Sequence, residues 1–214
     1  MTGLLSEKIN KNFVVFEGLD GSGKSEQIRR LKEYFEKQGR KNVLFTFEHT
    51  RATPWSDKIE DIMHGKQEAP TADKLQLLYI LDRKDHLHNV ILPALKKGIA
   101  VFCDRYFLST LAYGSLDPSL HWKTLWNNHK EVIGDELVMP EKILFFDLPP
   151  DIAISRIESG REDKTYFESI NKLKTIRENY LSIGPHFEGF EVIDGSPGPE
   201  IVFESLKKSL VDYL

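Results

Sequence analysis

Phe13-Val14-Val15-Phe16-Glu17-Gly18-Leu19-Asp20-Gly21-Ser22-Gly23-Lys24-Ser25 decides how this chain folds. The octet Gly18 to Ser25 fits Gly-x-x-x-x-Gly-Lys-[Ser/Thr], the P-loop pattern. Phe13–Phe16 reads as a buried strand, and Ile28, Leu31 and Phe35 follow at helical spacing. A strand that ends in glycines and turns into a helix aims several backbone N–H groups at one point. Those donors, with the positive end of the helix dipole, form an anion site suited to phosphates. Lys24 is placed to reach the β- and γ-phosphates of a nucleotide and Ser25 to ligate Mg²⁺. Gly18, Asp20, Gly21, Ser22, Gly23 and Glu26 complete the expected ATP-binding set.

Outward from this motif, short apolar runs alternate with helical patterns. Phe13–Phe16, Val43–Phe47, Ile99–Cys103, Ile143–Phe146 and Phe190–Ile193 are continuously apolar, as in parallel strands covered on both faces. Helices are expected near 24–38, 55–64, 71–97, 119–133, 150–158, 166–182 and 199–213. Gly39, Gly65 and Gly98 stand where C-terminal caps belong, and Pro93 is expected to bend the long third helix. The pattern predicts an α/β fold: a doubly wound, five-stranded parallel sheet with helices on both faces. Nothing marks a linker, so residues 1–214 read as one domain. Its polar, charged segment at 155–165 reads either as a solvated helix face or turn, or as a mobile lid.

The chain has 214 residues, 40% of them hydrophobic, which suffices for a real core. Its net charge of -4 argues against a general nucleic-acid binder. No apolar stretch is long enough to span a bilayer, and Met1 to Lys11 lacks the apolar centre of a signal peptide. The single cysteine, Cys103, excludes an internal disulfide and reads as a core residue. A cytoplasmic location is the expectation.

In an open α/β sheet, ligands sit outside the carboxyl ends of the strands. Asp20, the run Glu48 to Pro54 with Arg51, the triplet Asp104-Arg105-Tyr106, Asp147 and Asp194 all fall at those ends. So many charges on one edge call for a charged ligand or a metal to balance them. Asp104 is a second candidate Mg²⁺ ligand. Arg105 and Arg51 are candidate phosphate clamps, and Arg156, Arg161 and Lys164 are placed to close over a transferring phosphoryl group.

These residues carry a resemblance to the thymidylate kinase family, over nearly the whole chain. Phe16 to Ser25 is similar to the family's opening motif. Leu77 to Arg83, followed by His86, resembles its helix with an aromatic residue and an arginine four positions later. Asp104-Arg105-Tyr106-Phe107-Leu108-Ser109-Thr110-Leu111-Ala112-Tyr113 resembles its most specific signature, Asp-Arg-Tyr-x-x-Ser-x-x-Ala-Tyr. Arg156, Gly160-Arg161 and Phe167-Glu168 fit its lid, and Val192-Ile193-Asp194 its last strand.

The resemblance implies transfer of the ATP γ-phosphate to dTMP with Mg²⁺, and a homodimer with an interface from the helices around 55–92. It also implies roles. Asp20 accepts from the 3′-hydroxyl of the deoxyribose, Tyr79 stacks on thymine, Arg83 reaches a base carbonyl, Arg51 and Arg105 grip the acceptor phosphate, and Tyr113 crowds the 2′ position. Three departures stand out. Gly21 replaces the arginine many relatives carry, so the lid arginines must supply that charge. Phe47–Thr53 lacks the proline that many relatives place near the base. Gly114 stands where relatives often carry a polar side chain, leaving the base edge to Ser109 or Thr110.

The rival readings are a kinase for another nucleotide or nucleoside, a GTP-dependent switch and a nucleotide-binding scaffold without turnover. The switch is disfavoured because Asn171-Lys172-Leu173-Lys174 lacks the aspartate of a guanine-reading Asn-Lys-x-Asp. Intact Lys24, Ser25, Asp104 and Arg105 argue against the scaffold.

Overall fold

The structure, a computed structural model, describes residues 9–160 and 170–213. Among the described residues, the strands β1 (Ile9–Gly18), β2 (Val43–Phe47), β3 (Ala100–Asp104), β4 (Met139–Asp147) and β5 (Phe190–Asp194) form one sheet in the order β2-β3-β1-β4-β5. Every pairing is parallel, with Phe16 opposite Asp104 across β1 and β3. The chain runs outward from β1 to β2, returns to β3 beside β1, and then crosses to β4 and β5. The order reverses between β1 and β3, which places a ligand crevice at their carboxyl ends.

The continuous apolar runs have a direct cause. Along β1, Phe13 and Val15 enter one core while Val14 and Phe16 enter the other. Val101 and Cys103 against Phe102, and Ile143 and Phe145 against Leu144 and Phe146, divide in the same way. Alternation with period two is hidden because both faces are buried. One face is covered by α1 (Lys24–Lys37) and α9 (Pro199–Ser209) through Leu31, Phe35, Val202 and Leu206. The other lies under α3 (Ala72–His86), α4 (Leu92–Lys96), α5 (Phe107–Gly114), α6 (Trp122–Ile133) and α8 (Ile170–Ile183).

The remaining helices are α2 (Pro54–Met63) and α7 (Pro150–Gly160). Gly39, Gly65 and Gly98 follow α1, α2 and α4 with φ of 69°, 68° and 72°, the left-handed caps expected from their positions.

Three expectations need correction. The helix expected over 71–97 is divided by a π-helical turn at Leu87–Ile91, where the Leu92 N–H donates to the Leu87 carbonyl. Pro93 lacks an N–H and its ring crowds the carbonyl four residues back; widening the preceding turn absorbs both defects. Helix α5 was not expected. Six of its eight residues are buried, so it shows no polar face. Finally, the helix expected near 150–158 runs two residues further, as α7 to Gly160. Residues 161–165 of the polar, charged segment, including Arg161 and Lys164, lie outside the described residues.

Candidate active site

The P-loop and the start of α1 line a cavity of about 290 Å³ together with Arg156 and Ile157 of α7. Asp20, Gly21, Ser22, Gly23, Lys24, Ser25 and Glu26 all face it. Arg29 and Arg30 hold the Glu26 carboxylate and lower its pKa to about 2. Arg156 donates to the Gly195 carbonyl from both terminal nitrogens at 3.3 Å.

Gly21 explains the first departure noted in the sequence. Its φ is 80°, and a Cβ there would lie 2.4 Å from the carbonyl oxygen of Ala153. Helix α7 thus runs against the loop where many relatives carry an arginine, and no side chain fits.

The second cavity, a cleft of about 400 Å³, opens beside it at the ends of β1, β2 and β3. At the switch point Lys24, buried at 6% exposure, contacts the Asp104 carboxylate across 80 residues of sequence. Arg105 follows with φ of 69°, a left-handed conformation that costs a residue with a Cβ roughly 1–2 kcal/mol. That turn sends its guanidinium into the cleft. Nη2 donates to Asp20 Oδ1 at 2.9 Å and to the Tyr113 hydroxyl at 3.3 Å, and Nη1 donates to Ser109 Oγ at 3.2 Å. The guanidinium carbon lies 5.3 Å from the centre of the Tyr113 ring. Burial opposes its charge, but Tyr113, Asp20, Tyr180 and Asp104 around it raise the Arg105 pKa well above the ordinary value.

Glu17 supports this arrangement from beneath. It is fully buried and accepts from the Tyr106 N–H at 2.9 Å, the Ser109 N–H at 3.2 Å, Ser109 Oγ at 2.6 Å and the Tyr180 hydroxyl at 2.9 Å. It thereby caps α5 and holds the turn that carries Arg105. Burial raises its pKa above the usual carboxylate value. Its place at the end of an apolar strand was the signal that could have identified it.

The far wall of the cleft comes from α3. Tyr79 and Arg83 both line it, four residues apart as expected. Burial pushes the Tyr79 hydroxyl up to about 12, so the ring stays neutral. Arg83 is 2% exposed. Its Nε donates to Glu48 Oε2 at 2.6 Å, and its Nη1 to Thr110 Oγ1 at 3.0 Å and to His129 Nε2 at 2.5 Å. His129 Nδ1 donates to the Leu125 carbonyl at 2.7 Å. A carbonyl only accepts and a guanidinium only donates, so His129 is the neutral Nδ1–H tautomer. Burial and the Arg83 charge hold its pKa well below the ordinary value.

Arg51 lines the same cleft from an exposed position after β2. Its loop is tied to α3 by Asp82, which accepts from the Thr50 N–H at 2.7 Å and from Thr50 Oγ1 and Thr53 Oγ1 at 2.6 Å. His49 occupies the stretch that lacks the proline; its ring sits edge-on to Tyr79 with centroids 5.6 Å apart. Asp82 and His49 escaped the sequence reading because their partners lie about 30 residues away on another element.

The expected site residues among those described line the two adjoining cavities, except Gly18 at the end of β1; Arg161 and Lys164 lie outside the described residues. Ser109 and Thr110 are present, but the Ser109 hydroxyl is taken by Glu17, Arg105 and Tyr180.

Comparison with known proteins follows the same lines. Residues 16–206 match the family model described as thymidylate kinase. The probable thymidylate kinase of Thermococcus onnurineus is 35% identical over 204 residues, covering 91% of this chain and 94% of that relative. The thymidylate kinase of Oleidesulfovibrio alaskensis is 32% identical over 218 residues, 94% and 97% of the two chains. That of Leptospira borgpetersenii serovar Hardjo-bovis is 35% identical over 202 residues, 94% of each.

Proposed function

We propose that this chain, which belongs to the thymidylate kinase family, binds ATP on its P-loop and dTMP in the adjoining cleft and catalyses ATP + dTMP → ADP + dTDP. The observation that carries this reading is the convergence at the β1/β3 switch point. Lys24, Asp104, Arg105 and Asp20 meet there between the two cavities. An oxygen of the dTMP phosphate forms the new bond to the γ-phosphorus as the bond to the β,γ-bridging oxygen breaks, and ADP leaves. The acceptor phosphate is ionised near neutral pH, so no general base is needed. Positioning and charge neutralisation carry the catalysis.

Lys24 stabilises charge on the β- and γ-phosphates. Arg105 and Arg51 hold the acceptor phosphate, Asp20 the 3′-hydroxyl, Tyr79 the face of the base and Arg83 a base carbonyl. Tyr113, beside Arg105, excludes a 2′-hydroxyl. The exposed hydroxyl of Ser25 and the carboxylate of Asp104 are hard oxygen donors on one cleft, a set that suits Mg²⁺. Bound there, the ion would screen phosphate charge. Arg156 and Arg161, on a lid at about 155–165, complete the neutralisation in a single domain.

Among the described residues no helix is long and apolar enough to cross a membrane. We further propose a homodimer through the face that exposes Leu77 and Val90, each 38% exposed. The buried, unpaired Cys103 suits a cytoplasmic protein.

A coupled ADP-release assay over dTMP, dUMP, dCMP, dGMP and UMP tests the reading. The expected order is dTMP, then dUMP, then dCMP and UMP. Ranking dCMP or UMP above dTMP overturns the substrate assignment.

A further inference from the structure

Gln76 stands three residues before Tyr79 and seven before Arg83, so the three share one face of α3, and all line the cleft. Its side chain is 5% exposed. Its side chain lines the cleft, and its amide atoms are not among the buried polar atoms left without a partner, so the amide is open to the cleft. An amide open to a cleft offers both a donor and an acceptor to a ligand there.

The packing around it is specific. A Cβ on Gly114 would lie 3.0 Å from Gln76 Cγ, 3.2 Å from its Cδ and 2.6 Å from Leu125 Cδ1. The absence of a side chain on α5 is therefore what admits the Gln76 amide. Several other polar groups at this end of the cleft are already engaged. Ser109 Oγ serves Glu17, Arg105 and Tyr180, and Thr110 Oγ1 accepts from Arg83. Arg83 Nε and Nη1 serve Glu48, Thr110 and His129.

We propose that Gln76 binds the edge of the pyrimidine base, as a further base-binding residue of the monophosphate site. The imide edge of thymine or uracil offers an N–H donor flanked by carbonyl acceptors. The Gln76 carbonyl accepts from that N–H and its NH₂ donates to a neighbouring carbonyl. A flipped amide matches cytosine as well. Gln76 thus sets affinity for a pyrimidine edge, and the donor-only Arg83 sets the choice between thymine and cytosine. The inference rests on the dTMP kinase reading.

The test uses the full chain and two apolar replacements of similar volume, Gln76→Met and Gln76→Leu. KM and kcat for dTMP are measured beside the inhibition constant of 2-deoxyribose 5-phosphate, which keeps the sugar and phosphate and lacks the base. Loss of two hydrogen bonds to the base predicts a rise of about tenfold or more in the dTMP KM. The inhibition constant of the baseless probe should change less than about twofold and kcat little. An unchanged KM overturns the inference alone. Equal rises in KM and inhibition constant show that Gln76 acts through packing, and also overturn it. Failure of the wild-type chain to phosphorylate dTMP overturns the kinase reading, and this inference with it.

Discussion

Arg105 Nη2 lies 2.9 Å from Asp20 Oδ1, so a residue in the turn after β3 and a residue inside the P-loop share one charge pair across 85 positions. The left-handed backbone of Arg105, φ 69°, is what aims its side chain there. Arg105→Ala and Arg105→Gly remove the same contacts, and only alanine keeps a Cβ in the strained conformation. The glycine variant should be about 1 kcal/mol more stable by denaturant titration. Both should lose a hundredfold or more in kcat/KM for dTMP. Equal stabilities would show that the strain is not borne by this residue.

Lys24 contacts Asp104 on one side and faces both cavities. Charge on the transferring group peaks in the transition state, so Lys24→Ala should lower kcat on the order of a hundredfold or more. The affinity for dTMP, measured calorimetrically, should move little. Near-normal turnover in a folded variant would remove the P-loop from the mechanism.

Glu17 accepts from two N–H groups and two hydroxyls. Glu17→Ala leaves those donors buried and should destabilise the fold by about 3 kcal/mol or more. In Glu17→Gln the remaining carbonyl still accepts from the N–H groups, while the Ser109 and Tyr180 hydroxyls turn to accept from the new NH₂. Its cost should be nearer 1 kcal/mol. Chemical denaturation of both variants separates the two cases, and similar losses would argue against the capping role.

The sheet was legible in the sequence because each strand is buried on both faces and so reads as an unbroken apolar run between turn residues. Helix α5 was illegible for the same reason applied to a helix: Phe107–Gly114 has no polar face to reveal a period. Lys24, Asp104, Arg105, Tyr79 and Arg83 were legible because they fall at strand ends or at helical spacing within one motif. The partners that hold them were not. Arg83 meets Glu48 across 35 residues and His129 across 46, and Glu17 meets Tyr180 across 163. Such pairings are set by the packing of separate elements, which local spacing does not encode. Gln76 is intermediate, since its register with Tyr79 and Arg83 is visible but the gap at Gly114 that admits it is not.

His129 makes stability depend on pH in a definite direction. Its imidazole is neutral in the fold, with a pKa well below the ordinary value, whereas in the unfolded chain it takes a proton near pH 6.5. Below that pH the unfolded state binds more protons, so the contribution is fully present above pH 6.5 and is lost as pH falls toward the folded value. The slope is about 1.4 kcal/mol per pH unit. His129→Gln keeps an acceptor for Arg83 and does not titrate. Between pH 7.5 and 5.5, wild-type stability should fall by about 1.4 kcal/mol more than that of the variant. Parallel curves would show that His129 takes up its proton equally in the folded and unfolded chain.

Gly21 and α7 together decide where the missing positive charge comes from. A side chain at 21 would meet the Ala153 carbonyl, so the loop cannot carry an arginine while α7 stays in place. Arg156, on that same helix, instead reaches the P-loop cavity, with Nη1 3.7 Å from where a Gly23 Cβ would stand. On the proposed reading, an arginine on the helix that covers the loop supplies the charge that the loop itself cannot carry. The Arg156→Ala/Arg161→Ala double variant should bind dTMP almost normally and lose a hundredfold or more in kcat. Adding Gly21→Arg to it should restore nothing, and Gly21→Arg alone should lower the thermal midpoint, because its Cβ displaces helix backbone rather than a flexible side chain. Recovery of turnover in the triple variant would show that α7 yields to a loop arginine, and that the helix does not dictate the source of the charge.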